Sequence, residues 1–107
     1  IRGNFTRGIF ASIYTQSELS QEELINLYQS FYEGNPFVFV SEKSVHLKQV
    51  VNTNNCFIQV EKIDDKVLVT SVIDNLLKGA AGQAIQNMNL MFGLEESTGI
   101  HYKANYL

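Results

Sequence analysis

The chain offers one thiol, Cys56, and a guanidinium, Arg7, set in the largely apolar run NFTRGIFASIYT. A cysteine nucleophile needs a cation, a histidine or a helix N-terminus to stabilise its thiolate. Cys56 has Asn55 and Phe57 beside it and no histidine close in sequence. It therefore reads as a small core residue. An arginine inside an apolar strand must be paired. Two partners are open for Arg7. One is an intradomain salt bridge, with Asp74 the candidate. The other is a bidentate contact to a carboxylate or phosphate of a substrate. Asp74 precedes a helix and is accounted for as its N-cap. His46 and His101 stand far apart in polar surroundings and read as solvated, with no ligand role.

The more unusual chemistry lies further on. Gly79 and Gly82 each cost about 1 kcal/mol relative to alanine in a helix interior. A helix that carries both needs its backbone close to something. Gly79, Gly82, Gln83, Gln86 and Asn87 share one face at helical spacing, and none is charged. An ordinary solvated face would carry Lys and Glu. Tight packing inside the domain accounts for such a face. So does contact with a second domain or a planar cofactor, because an amide such as Asn87 offers both a donor and an acceptor to a carboxamide.

These residues need elements to position them. Residues 4–15 read as a strand, apolar on both faces and hence central in a sheet. Ser20 and Glu23 form a capping box that opens a helix. Its buried stripe is Leu24, Leu27, Tyr28, Phe31 and Tyr32, and Gly34 and Pro36 end it. Phe37 to Val40 form a short strand, and residues 41–54 carry no clear pattern. Residues 55–63 and 67–73 read as an antiparallel hairpin around Asp64-Asp65-Lys66. A last helix runs from Asn75 to Phe92, with the stripe Leu77, Ala81, Ala84, Ile85, Met88 and Met91 and a stop at Gly93. The sum is an α+β domain: a mostly antiparallel sheet with helices on one face.

Composition narrows the function. The 107 residues hold one domain, 1–107, and 45% hydrophobic against 18% charged residues exclude disorder. A net charge of −3, with no basic patch, argues against nucleic acid as the main partner. The longest uncharged stretch, 79–94, contains Gln83, Gln86, Asn87 and Asn89 and does not read as a membrane span. A single cysteine excludes an intramolecular disulfide and a cysteine-cluster metal site. With no targeting segment in the sequence, a cytoplasmic setting is expected.

The run from Val72 to Leu94, VIDNLLKGAAGQAIQNMNLMFGL, closely resembles the C-terminal signature of the N-acetyl-gamma-glutamyl-phosphate reductase family. Arg7-Gly8-Ile9-Phe10, followed by Ala11-Ser12-Ile13-Tyr14, resembles its Arg-Gly-Ile strand. Asn52-Thr53-Asn54-Asn55-Cys56 resembles its Asn-Cys segment before the hairpin. Phe57 departs from the acidic residue common there, residues 1–6 match less well, and 101–107 have no counterpart. The resemblance implies the C-terminal domain of a glyceraldehyde-3-phosphate-dehydrogenase-like reductase. The parent would reduce N-acetyl-glutamyl phosphate to N-acetyl-glutamate semialdehyde with NADPH, in arginine biosynthesis. The family's nucleotide loop, nucleophilic cysteine and histidine acid/base precede the region seen here, so Cys56 matches the hairpin cysteine only. The fragment alone is then expected to be inactive and not to bind NADP. The resemblance also implies an acyl-phosphate substrate, with Arg7 at the substrate and Asn87, Gly79 and Gly82 at the cofactor. The last helix would rest against the missing nucleotide-binding domain, and a homo-oligomer would form. Two alternatives stand beside it: the related reductase of a carrier-linked lysine pathway, and a free-standing non-enzymatic oligomerisation module.

Overall fold

The computed structural model of the chain describes residues 3–104. The ends, including part of the tail without a family counterpart, lie outside the described residues. The elements are β1 (Ile9–Gln16), α1 (Gln21–Phe31), β2 (Val38–Ser41), a 3-10 turn (Leu47–Gln49), β3 (Cys56–Ile63), β4 (Lys66–Ile73), a π-turn (Leu77–Ala81) and α2 (Gly82–Met91). The strands form a four-stranded sheet in the order β1-β4-β3-β2. All pairs are antiparallel except β2 with β3. This is the α+β architecture expected from the sequence.

The hairpin register sets the two faces. Val60 opposite Val69 and Ile58 opposite Ser71 look one way; Phe57 opposite Val72 looks the other. Leu24 of α1 joins Ile58, Val60, Val67 and Val69 on the first face. Val45, Val50 and Val72 cluster on the second, with Phe10, Leu47 and Phe57 against them. The patternless segment 41–54 thus has a packing role: it covers the sheet face that no helix covers.

Strand β1 is an edge strand, which corrects the expectation that it is central. Arg7 and Gly8 lie just before it, not inside it. Ile9, Ala11 and Ile13 pair with β4 residues on the face that carries α1, but α1 lies over β2 and β3. Ile13 consequently stays 53% exposed. The two-faced apolar pattern of β1 reflects surface left open rather than burial on both sides.

Helix α1 begins as expected. Ser20 Oγ accepts from the Glu23 N–H at 3.1 Å, and Glu23 Oε2 accepts from the Ser20 N–H at 2.8 Å. Its stripe is only half buried. Leu24, Tyr28 and Tyr32 pack on the core, whereas Leu27 is exposed and Phe31 is 80% exposed.

The last helix departs furthest from expectation. It does not run unbroken from Asn75. The Gly79 N–H bonds to the Asp74 carbonyl and the Ala81 N–H to that of Leu76, both five residues back. This π-turn inserts an extra residue, which turns everything after it by about 100° relative to a regular helix. The predicted stripe is therefore displaced. Gly82, Gln86 and Asn89 face inward, while Met88 is exposed and Met91 is 81% exposed. Asn89 is satisfied where it is buried: its Nδ2 donates to the carbonyls of Glu96 (3.0 Å) and Thr98 (2.9 Å). That amide ties the turn after α2 to the helix.

Candidate functional site

A cleft of about 380 Å³ opens between the α1 face of the sheet and the chain that follows β4. Its floor is Val38, Cys56, Ile58 and Ile73, with Tyr32 at one side. The register explains the floor, since Val38 lies opposite Cys56 and Cys56 opposite Ile73. Lys78, Gly79, Gln83, Gln86 and Asn87 form the other wall. Four of the five residues of the expected uncharged face thus meet in one place, although the helix carrying them is not regular.

Gly82 is the exception. A Cβ there would collide with Asn54 Oδ1 and come within 2.8 Å of the Leu77 carbonyl. Its missing side chain is explained within the domain, by the approach of Asn54. Gly79 differs: a Cβ there would meet only ordinary contacts at 3.6 Å with the Asp74 carbonyl and Ile73 Cδ1. No packing inside the domain requires that glycine.

Gln86 is the hub of the wall, 8% exposed. Its Oε1 accepts from Lys78 Nζ (2.6 Å) and Asn54 Nδ2 (3.0 Å), and its Nε2 donates to Glu96 Oε1 (3.0 Å). Lys78 Nζ also stands 5.5 Å from the centre of the Phe37 ring. Burial lowers the Lys78 ammonium's pKa below the usual lysine range, outweighing the opposing pull of Cys56 and Glu96. The sequence reading gave Lys78 no role. The available signal was its position, a single cation directly before a long uncharged run.

Cys56 is half-buried, with its sulfur 3.4 Å from Ser71 Oγ. It packs against the core as expected and also forms part of the cleft floor. His46 and His101 are exposed. The side chain of Tyr32 also borders a separate apolar groove of about 350 Å³ along α1, formed with Leu27, Tyr28 and Phe31.

Arg7 is held elsewhere. Its Nη2 reaches Asp74 Oδ2 at 2.9 Å and Oδ1 at 3.0 Å, so the intradomain partner considered from sequence is present. Asp74 is fully buried and also accepts the N–H groups of Asn52 (2.7 Å), Leu76 (2.8 Å) and Leu77 (3.1 Å). Burial alone would raise the Asp74 carboxyl pKa. The Arg7 guanidinium and the three backbone donors outweigh that and hold it below the usual carboxylate range. Asp74 caps the start of the π-turn and holds Asn52 at φ 64°. Arg7 keeps 30% of its side chain exposed, while its buried Nε has no partner among the described residues. Gly8, at φ 116°, donates to Asn75 Oδ1 at 2.8 Å.

Comparison with known proteins adds identity to this geometry. Residues 1–75 match the family model described as semialdehyde dehydrogenase, dimerisation domain. A protein of Karelsulcia muelleri is 53% identical over 102 residues, 95% of this chain and 31% of its own length. One of Parabacteroides distasonis is 54% identical over 103 residues, covering 96% and 32%. One of Flavobacterium johnsoniae is 58% identical over 102 residues, covering 95% and 31%. All three are named N-acetyl-gamma-glutamyl-phosphate reductase, and this chain spans about a third of their length. The chain belongs to the semialdehyde dehydrogenase dimerisation-domain family, and it is similar to members named N-acetyl-gamma-glutamyl-phosphate reductase.

Proposed function

We propose that this chain is one part of an NADPH-dependent reductase that converts N-acetyl-glutamyl phosphate to the semialdehyde in the cytoplasmic arginine pathway. The observation that carries the reading is the inverted last helix. Gln86 and Asn89 are used up inside the domain, while Met88, Leu90, Met91 and Phe92 are exposed. A chain spanning a third of its relatives has a covering partner to draw on in the remaining two thirds. Among the described residues no helix is long and apolar enough to cross a membrane.

In the parent enzyme the cofactor would supply the hydride. The fit of this chain to it rests on Asn87 and Gly79. The Asn87 amide is exposed and makes no hydrogen bond among the described residues, and Gly79 leaves the wall beside it open. These two are suited to receive a flat carboxamide-bearing ring. Gly82 supports them from behind by letting Asn54 approach. Arg7, fixed by Asp74, would offer its exposed end to an anionic group of the substrate. Cys56 forms no thioacyl intermediate in this reading, since its near partner is a serine hydroxyl. The isolated chain is then inactive and does not retain the nucleotide.

Homo-oligomerisation would use the open edge and face of β1, where Ile9, Ile13 and Tyr14 are exposed. The test is a paired one. The full-length protein should turn over the acyl phosphate with NADPH and sediment as an oligomer, whereas this chain alone should oligomerise without turnover. Turnover by the chain alone would overturn the reading. So would a full-length protein that sediments as a monomer at high concentration.

A further inference from the structure

Strand β2 is shorter than the strand it pairs with. Its ladder ends at Ser41 opposite Gln59, whereas β3 runs on to Ile63. The Cys56 N–H bonds to the Phe37 carbonyl on the β2 side. Backbone groups alternate in direction along a strand, so Val60 and Lys62 point theirs the same way. Strand β4 covers the opposite side of β3 along its whole length. The β2 side of residues 60–63 is therefore a bare edge, of the kind that recruits another strand. Among the described residues no strand fills it, but Gln21, the first residue of α1, reaches it. Its Nε2 donates to the Val60 carbonyl at 2.8 Å, and its Oε1 accepts from the Lys62 N–H at 2.6 Å. Those partners fix the amide's orientation, since a carbonyl needs a donor and an N–H an acceptor. These are the two bonds that a parallel strand residue opposite Glu61 would make. The β2 register, carried two steps beyond Ser41, would put Lys43 there. Lys43 is instead turned away: Ser41 Oγ accepts from its N–H at 3.1 Å and donates to its carbonyl at 2.8 Å. Lys62 Nζ donates to the Leu19 carbonyl and ties the same edge to the chain entering α1.

We propose that Gln21 is a surrogate strand residue, whose side-chain amide seals the Val60–Lys62 edge against strand addition by a second copy of this chain. A glutamine carboxamide carries the same donor and acceptor as a peptide group, so it ends the ladder without offering a further edge. A second copy has a segment to add. Strand β1 pairs with β4 alone, and its outer edge faces no strand. Two β1 edges can pair with each other and close. A β1 edge laid on the β3 edge of the next copy leaves that copy's own β1 free, and such a head-to-tail contact grows without limit. The seal removes the second option and leaves the first. The inference does not rest on the proposed function, whose oligomer uses β1 alone.

The bonds are tested first on the unaltered chain by NMR. The Lys62 amide and the Gln21 carboxamide should both exchange slowly with solvent. A scalar coupling should connect the Lys62 amide nitrogen to the Gln21 side-chain carbonyl carbon. Gln21→Ala should speed Lys62 exchange roughly tenfold or more. In sedimentation it should form ever larger species as concentration rises, with the helix signal in circular dichroism retained. Gln29→Ala, at an exposed glutamine of the same helix, should change neither reading. The coupling needs no variant, so its absence refutes the proposal even where Gln21→Ala does not fold. A Lys62 amide that exchanges freely in the unaltered chain, or is unmoved by Gln21→Ala, overturns it too. So does an edge that opens in Gln21→Ala without growth in size. The oligomer of the unaltered chain bears on β1 and the proposed function; only unlimited growth of Gln21→Ala bears on the seal.

Discussion

Asp74 and Lys78 lie four residues apart and are both withdrawn from water, yet they are treated in opposite ways. Asp74 is fully buried and surrounded by four donors: one guanidinium and three backbone N–H groups. Lys78 meets one neutral amide oxygen and the face of the Phe37 ring, and it borders an open cleft. The carboxylate is a finished structural joint. It ties the approach to β1, the loop before β3 and the start of the π-turn to one point. The ammonium is held more lightly, by Gln86 and the Phe37 ring, and burial outweighs the pull of Cys56 and Glu96 on it. The full set of donors marks Asp74 as a residue that holds the fold together.

The sharpest break of this contrast is Asp74→Ala. It strands Arg7 and three backbone donors, and loss of one partner of a buried pair should cost about 3 kcal/mol or more. Denaturant unfolding would read this as a large fall in midpoint, or as loss of the folded state. Retained stability would mean that the joint is dispensable.

The glycines give a second, smaller contrast. Gly82→Ala forces a methyl onto Asn54 Oδ1 and the Leu77 carbonyl, an overpacking that should cost about 1–3 kcal/mol. Gly79→Ala meets only ordinary contacts and should be neutral or stabilising by up to about 1 kcal/mol. Thermal unfolding of the two variants side by side checks the ordering. If Gly79→Ala is the worse of the two, the account of the wall is wrong.

Acidity separates the two charges by sign. The folded Asp74 pKa is lowered, so its contribution is present above the unfolded-state value and is lost as pH falls through the folded one. Stability should drop in acid, and Asp74→Asn should flatten that drop. The folded Lys78 pKa is also lowered, but for a cation this is a penalty. It is in full force at neutral pH and lifts as pH rises through the folded value toward the unfolded one. Lys78→Met should therefore raise stability slightly at neutral pH, by an amount within about 1 kcal/mol.

The same contrast explains what could be read from sequence. Helix α1 was legible because its capping box is local: Ser20 and Glu23 are three residues apart and need nothing else. The β3–β4 hairpin was legible for the same reason. Strand β1 misled because an apolar face does not say whether its cover belongs to the same chain. The last helix misled through the π-turn, which no 3.6-residue count anticipates, and through Gln86 and Asn89. Buried amides cannot be told from solvated ones until Asn54, Glu96 and Thr98 are in place. The cleft was half legible. Gly79, Gln83, Gln86 and Asn87 stood out as an uncharged face, whereas Lys78 gained meaning only when folding placed it over the Phe37 ring and beside Gln86.

The central claim is that the outward face of α2 is kept for the rest of the parent protein. Amide hydrogen exchange measured on this chain and on the full-length protein tests it most directly. Exchange at residues 79–91 should be slower in the full-length protein, while the β3–β4 hairpin should change little. Equal exchange in the two, with α2 already fully protected in the isolated chain, would contradict the account and return the helix to ordinary domain packing.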